Sequence, residues 1–206
     1  MAIGHLNKGL LKAHGLDEGG TDGIGAHDEM WYAARDLAFG RGAYPDVEPP
    51  ENISRPEAGA RFMPELPAGI EGLLSLLMNL LVIEFRAEIG FAATQELLRA
   101  PGLFDHCRAA ADEAAAIVDR IRADELIHVS SLQLYLGELA EVTFRTVDGG
   151  TVAGSELIGR FWNGLIRWAT VDQPLLVAEQ QRTLLHERVM RHADSAAIWA
   201  EFEAAA

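Results

Sequence analysis

Leu73-Leu74-Ser75-Leu76-Leu77-Met78-Asn79-Leu80-Leu81-Val82-Ile83-Glu84-Phe85-Arg86-Ala87-Glu88 decides how this chain folds. From Leu73 to Ile83 only Ser75 and Asn79 interrupt the apolar run, and Glu84, Arg86 and Glu88 follow at once. So short a run, with charges directly after it, reads as the middle of a buried core helix and not as a bilayer span. The helical pattern extends from Ala68 to Ala100 and is stopped by Pro101-Gly102. A second one, rich in Ala, Leu, Ile and Glu, runs from about Asp105 to Val142. Two long helices joined by a short loop are antiparallel neighbours. The fold class this predicts is all-α, an antiparallel helical bundle in a single domain, 1–206.

The flanking segments read as follows. Ile3 to His14 is a short amphipathic helix with Leu6, Leu10 and Leu11 on one side, and Gly15 is placed to end it. Gly15 to Gly25 is a glycine-rich loop. A second helix from about Ala26 to Phe39 turns His27, Met30, Ala34 and Leu37 inward and stops at Gly40. Residues 45–67 hold Pro45, Pro49, Pro50, Pro56, Pro64 and Pro67, a density that excludes a helix or a central strand. The reading is an extended connector that wraps the bundle, with Phe62, Met63 and Leu66 anchoring its far end. Residues 142–153 place β-branched residues on either side of Asp148-Gly149-Gly150, a small β-hairpin. Gly154-Ser155 opens a helix to about Thr170. Asp172-Gln173-Pro174 starts a last one to about Phe202, with a break near Ala193-Asp194.

Composition narrows the function classes. Apolar residues make up 49% of the chain, too many for disorder. A net charge of −14 repels phosphate backbones and anionic lipid, which argues against nucleic acid and membrane as partners. Cys107 is the one cysteine, so neither a disulfide framework nor a cysteine zinc site is available within the chain. With no apolar signal core after Met1, a cytoplasmic protein is expected.

Two pairs of polar groups interrupt otherwise apolar helix faces. On the first long helix Leu77, Leu80, Leu81, Glu84, Glu88 and Phe91 share a stripe. Glu84 and Glu88 repel each other there unless a cation or a proton lies between them. On the second, Val118, Ile121, Glu125, His128, Leu132 and Tyr135 share a stripe. Counted from the turn, Glu88 lies about 16 residues before it and Glu125 about 20 after it, level to within a turn or so. Glu84, Glu88, Glu125 and His128 are therefore the candidate metal ligands, with Asp124 beside them to orient a ligand. Carboxylates with an imidazole suit iron, with manganese the alternative. The competing reading is a salt-bridged polar layer in which Arg86, Arg120, Arg122 or Arg182 neutralises the carboxylates. His5, His14 and His106 read as surface residues, and Trp162 and Trp168 as packing residues.

Glu88, followed after 35 residues by Asp124-Glu125-Leu126-Ile127-His128, is similar to one half of the di-iron motif of ferritin-like carboxylate proteins. It also resembles the first half of the signature of di-iron N-oxygenases that act on arylamines. The resemblance covers residues 80–130. It implies Glu88, Glu125 and His128 as metal ligands, a di-iron or manganese–iron centre that activates O2, and oxidation of a small organic substrate. The second half of the pattern is absent. Glu156 and Glu187 have a suitable spacing, but Met190 stands where the histidine belongs. Glu156 also lies about 25 Å in depth from Glu125. His27, Glu179 and His186 remain as candidates for the missing ligands, or a homodimer supplies them. The alternative is a non-enzymatic scaffold that keeps a degenerate ferritin-like polar layer.

Overall fold

The computed structural model describes residues 1–6, 8–21, 23, 25–44, 54–55 and 61–205, without the side chains of Ala2, Glu179, Gln180 and Ala205. The fold is mostly helical, with one two-stranded sheet. The wrap expected over 45–53 and 56–60 lies outside the described residues. The sequence reading placed the whole chain in one bundle. The described residues form two compact units, Met1–Trp162 and Asn163–Ala206.

In the first unit the two long helices form where the sequence places them. We number the helices in chain order. The first two, α1 (Leu10–Gly19) and α2 (His27–Phe39), precede the long pair, α3 (Ala68–Arg99) and α4 (Arg108–Ala140). Ala100, held in the extended region before Pro101, ends α3, and Gly102 turns the chain at φ +87. Cross-links fix the antiparallel register: Gln95 Nε2 donates to Asp119 Oδ1 (2.7 Å), and Arg122 Nη2 donates to Glu88 Oε1 (2.7 Å). Leu74, Leu77, Met78 and Leu81 of α3, with Val118, Ile121, Leu132 and Tyr135 of α4, are buried along the inner faces.

The N-terminal region departs from expectation. Ala2–His5 is a single 3-10 turn, and α1 runs on through Gly15 to stop at Gly20, whose φ is +73. A solvent-facing Gly15 costs a helix only about 1 kcal/mol. Tertiary hydrogen bonds hold the segment in place: Leu11 N–H donates to Tyr135 Oη (3.3 Å) and Ile3 N–H to Glu138 Oε2 (2.9 Å). Asp17 meets His128, His27 meets Asp124, and Cys107 Sγ meets the Ala38 carbonyl. Both helices thus run antiparallel to α4, in series, like one helix broken between Gly20 and Ala26.

The far end of the proline-rich segment is anchored as expected. Met63 and Leu66 are fully buried, and Phe62 packs edge-on against Phe161. Glu71 holds this end: its carboxylate accepts from Met63 N–H (2.9 Å) and from Arg61. Burial opposes ionisation of Glu71, but the Met63 amide and the Arg61 guanidinium outweigh it and hold it below the usual carboxylate range. The hairpin forms from β1 (Thr143–Arg145) and β2 (Thr151–Ala153), with Phe144 opposite Val152. Next comes α5 (Gly154–Arg167), which buries Leu157 and Phe161 in the first unit.

The second unit contains a π turn, Trp168–Asp172, then α6 (Gln173–Val189) and α7 (Ser195–Ala205). His186 and Phe202 pack on Trp199. Among the described residues, α3 is the one helix long and apolar enough to cross a membrane, with a mean hydropathy of 1.7 over its most apolar window. That window is longer than the apolar run Leu73–Ile83 and takes in residues on both sides of a stretch that is too short by itself.

Candidate metal centre

Every helix of the first unit up to α4 sends a metal-ligating side chain to one place. His14 and Glu18 come from α1, His27 from the first turn of α2, Glu84 from α3, and Glu125 and His128 from α4. The spacing rules explain the grouping. His14 and Glu18 are i, i+4, and Glu125 and His128 are i, i+3, so each pair lies on one helix face. The break between α1 and α2 brings Glu18 and His27 together across a loop. Two groups result, sharing Glu18: His14, Glu18, Glu84 and His128, and Glu18, His27 and Glu125.

Glu18 Oε1 is the central atom. It lies 3.1 Å from His27 Nδ1, 3.5 Å from His128 Nδ1 and 4.0 Å from His14 Nε2. Glu84 Oε1 is 3.0 Å from His14 Nε2, and Glu125 Oε2 is 3.1 Å from His128 Nδ1. The His14 and His128 rings stack in parallel at 3.8 Å. Donors bound to one cation at about 2.0–2.2 Å lie roughly 3–3.5 Å from one another, so the spacing matches that of a coordination sphere.

Two imidazoles also have an outer carboxylate. His128 turns Nδ1 to the cluster and Nε2 to Asp17 Oδ2 (3.2 Å). His27 turns Nδ1 to the cluster and Nε2 to Asp124 Oδ2 (3.4 Å). A carboxylate behind a ring nitrogen fixes the tautomer and orientation of a metal-bound histidine. His27 Nδ1 supplies the test of fit. It is buried and makes no directed hydrogen bond, although Glu18 Oε1 and Glu125 Oε1 lie within 3.4 Å. The oxygens are near but off the N–H direction, and a cation between the three would satisfy all of them.

The electrostatics are those of a crowded acidic site. Burial disfavours the charged form of His27, but Glu125 and Glu18 overcome it and push the ring up to about 10. His128 is pushed up to about 10 in the same way, burial being outweighed by Glu125, Glu84 and Asp17. The two buried carboxylates diverge. Burial would raise Glu84, but His128 and His14 hold it well below the usual range. Burial pushes Glu125 up, and the neighbouring Glu84 adds to the rise. The asymmetry keeps one carboxylate ionised and makes the other the easier to protonate.

Of the ligands read from the sequence, Glu84, Glu125 and His128 come together. Glu88 does not join them: Arg122 Nε and Nη2 both donate to its Oε1, at 2.9 and 2.7 Å. The antiparallel register sets Glu88 opposite Arg122, one turn from the cluster, so an arginine neutralises that carboxylate. His27 is in the cluster. His186 belongs to the second unit and packs on Trp199, and the side chain of Glu179 lies outside the described residues. His14 is buried in the cluster, not at the surface as the sequence reading had it. His14, Asp17 and Glu18 were missed because Gly15 was read as a helix end. The usable signal was the i, i+4 imidazole–carboxylate pair, the same logic that singled out Glu125 and His128.

A cleft of about 310 Å³ opens beside the cluster, with Glu18, His27, Glu84 and Glu125 at its base and Trp31, Ile83 and Phe91 on its walls. No protein-family model matches the chain, and no curated protein or solved structure is significantly similar to it.

Proposed function

We propose that His14, Glu18, His27, Glu84, Glu125 and His128 hold a divalent metal centre, iron or manganese, in a ferritin-like layer. The chain would then be an O2-using oxidase or oxygenase that acts on a small organic molecule in the adjoining cleft. One observation carries this reading: His27 and His128 both bring Nδ1 within 3.5 Å of Glu18 Oε1, and each is backed at Nε2 by its own aspartate. Equal numbers of carboxylates and imidazoles suit iron or manganese. The two ligand groups sharing Glu18 suit two ions. All six side chains come from one chain, so the centre needs no second copy to complete it.

When bound, a redox-active cation supplies electron transfer to dioxygen. In the minimal oxidase reaction two electrons and two protons leave the substrate and reduce dioxygen to hydrogen peroxide. The protein's own groups hold the cation and shape the cleft. Trp31, Ile83, Ala87 and Phe91 give the cleft apolar walls. Glu125, at the edge of the cleft, is one of the carboxylates that would hold the cation. We read α3 as a core helix, since its buried Glu84 and Gln95 pair with groups on α4, and the protein as cytoplasmic.

The test is anaerobic loading with Fe(II) followed by elemental analysis and oxygen-consumption measurements. At least one iron per chain is expected, with loss in Glu84→Ala and His128→Ala. Substoichiometric metal, insensitive to both substitutions, overturns the reading. A second reading has one observation in its favour: protons on His27 and His128 already neutralise much of the cluster. On that reading the chain is a non-enzymatic scaffold with a proton-bridged polar layer, and it binds no metal under the same conditions.

A further inference from the structure

Six side chains meet at the metal cluster, but they do not form one uniform shell. Their donor atoms divide into a set of four, His14, Glu18, Glu84 and His128, and a set of three, Glu18, His27 and Glu125, each drawn within 4.8 Å. In the set of four, Glu84 spans two imidazoles: its Oε1 lies 3.0 Å from His14 Nε2 and its Oε2 3.7 Å from His128 Nδ1. In the set of three, His27 Nδ1 lies 3.1 Å from Glu18 Oε1 and 3.4 Å from Glu125 Oε1. Glu18 serves both.

The sets differ in access. Glu18, His27 and Glu125, the whole set of three, line the cleft of about 310 Å³. Of the set of four, Glu18 and Glu84 reach it. His14 and His128, whose rings stack at 3.8 Å, are buried and are not among the described lining residues.

The sets also differ in donors. Each has one imidazole backed by an outer carboxylate, His128 by Asp17 and His27 by Asp124. The set of four adds a second ring, His14, whose own Nδ1 is buried without a partner. One more chelating donor, and an imidazole, tightens the hold on a first-row transition ion. Four protein donors close a four-coordinate ion, whereas three leave a position for an outside ligand. His27 Nδ1, buried without a directed hydrogen bond, marks the set of three as a ligand set in its own right and not the rim of the larger one.

We infer that the two sets have different tasks. His14, Glu18, Glu84 and His128 are a closed set, which loads first and which no molecule in the cleft can complete. Glu18, His27 and Glu125 are an open set, which leaves one position facing the cleft. That position takes a small monodentate oxygen or nitrogen donor of about azide's size. The inference rests on the metal-centre reading and adds to it which ligand set a molecule in the cleft can join. Ala87 controls the approach, because it stands on the cleft wall within a helical turn of Glu84 and presents only a methyl group.

The experiment titrates the chelator-treated full-length protein with Co(II) and then with sodium azide, read by the visible Co(II) spectrum and by calorimetry. Two Co(II) per chain are expected, in two steps roughly tenfold or more apart in affinity. Azide should shift the bands of the two-Co(II) protein saturably and leave those of the one-Co(II) protein unmoved. His27→Ala should hold one Co(II) and lose the azide shift. His14→Ala should weaken the first step at least tenfold and keep the azide shift at saturating Co(II). Ala87→Leu should load both ions as the unaltered protein does and bind azide at least tenfold more weakly. An azide shift in the one-Co(II) protein, or one undiminished in His27→Ala or in Ala87→Leu, overturns the inference and leaves the metal reading standing. Uptake of a single ion by the unaltered protein does the same. No uptake of Co(II) overturns the metal reading itself and this inference with it.

Discussion

Glu18 and His27 face each other across the break between α1 and α2, with Glu18 Oε1 3.1 Å from His27 Nδ1. The last turn of one helix and the first turn of the next thereby close the cluster that α3 and α4 open. Glu18 is the group common to both sets of ligands, and its side chain is 43% exposed. A part-exposed carboxylate contributes little to stability by ion pairing. Glu18→Gln should therefore leave the melting temperature nearly unchanged and weaken Co(II) binding at least tenfold. Spectroscopic titration against a competing chelator measures this, and an unchanged affinity would remove Glu18 from the centre.

Glu84 and Glu88 are one helical turn apart and have opposite fates. Glu84 is buried between His14 and His128, while Glu88 is held by Arg122. Glu84→Gln should cost at least tenfold in metal affinity. Glu88→Gln should leave metal content unchanged and cost about 1 kcal/mol or less of stability, as part-exposed ion pairs do. Parallel metal analysis and urea unfolding of the two variants separate them. Equal metal loss from both would mean that the helix register is wrong.

The sequence made Glu84, Glu125, His128 and, as a candidate, His27 legible, and hid His14 and Glu18 for a physical reason. Glu84, Glu125 and His128 interrupt long apolar stripes, where a polar group stands out because its burial needs a partner. Glu88 stands out equally, but which carboxylate faces α4 at the level of Glu125 depends on a one-turn register set by the loop before Arg108. His14 and Glu18 lie on a short helix with little apolar pattern of its own. Leu11 and Ile3 N–H donate to distant Tyr135 and Glu138 ahead of Gly15, and past it Asp17 and Glu18 meet His128 and His27. Such tertiary contacts override the local stop signal of a glycine. The hairpin and the break before Ser195 were legible because turn chemistry is local.

His27 and His128 set the pH behaviour of the metal-free protein. Each is pushed up to about 10 from an ordinary value of 6.5. A raised value in the folded state means that protonation stabilises the fold. This contribution is complete below about pH 6.5 and is lost as pH rises through about 10. Chelator-treated protein should therefore lose stability to urea across that window, with a flatter profile in His27→Ala. A metal ion needs the neutral imidazoles, so loading at neutral pH should release protons and tighten as pH rises. Calorimetry in two buffers of different ionisation enthalpy counts the protons. Zero release would show that the imidazoles are not ligands.

Gly154 joins the sheet to α5 at a point where a side chain has no room. Its N–H donates to the Val142 carbonyl at 2.8 Å. A Cβ placed there would lie 2.0 Å from the Leu139 carbonyl oxygen and 2.9 Å from that of Val142. Both obstacles are backbone atoms, in the last turn of α4 and just after it, so neither can rotate away as a side chain would. Gly154→Ala must push α5 off α4 or distort the last turn of α4, at a cost of about 1–3 kcal/mol, as for other overpacked sites. Gly137, on the same helix, has nothing within 4 Å of its Cβ position. Gly137→Ala should gain several tenths of a kcal/mol from helix propensity. Thermal melts of the two variants side by side make the comparison. Equal melting temperatures would show that α5 does not approach the Leu139 carbonyl so closely.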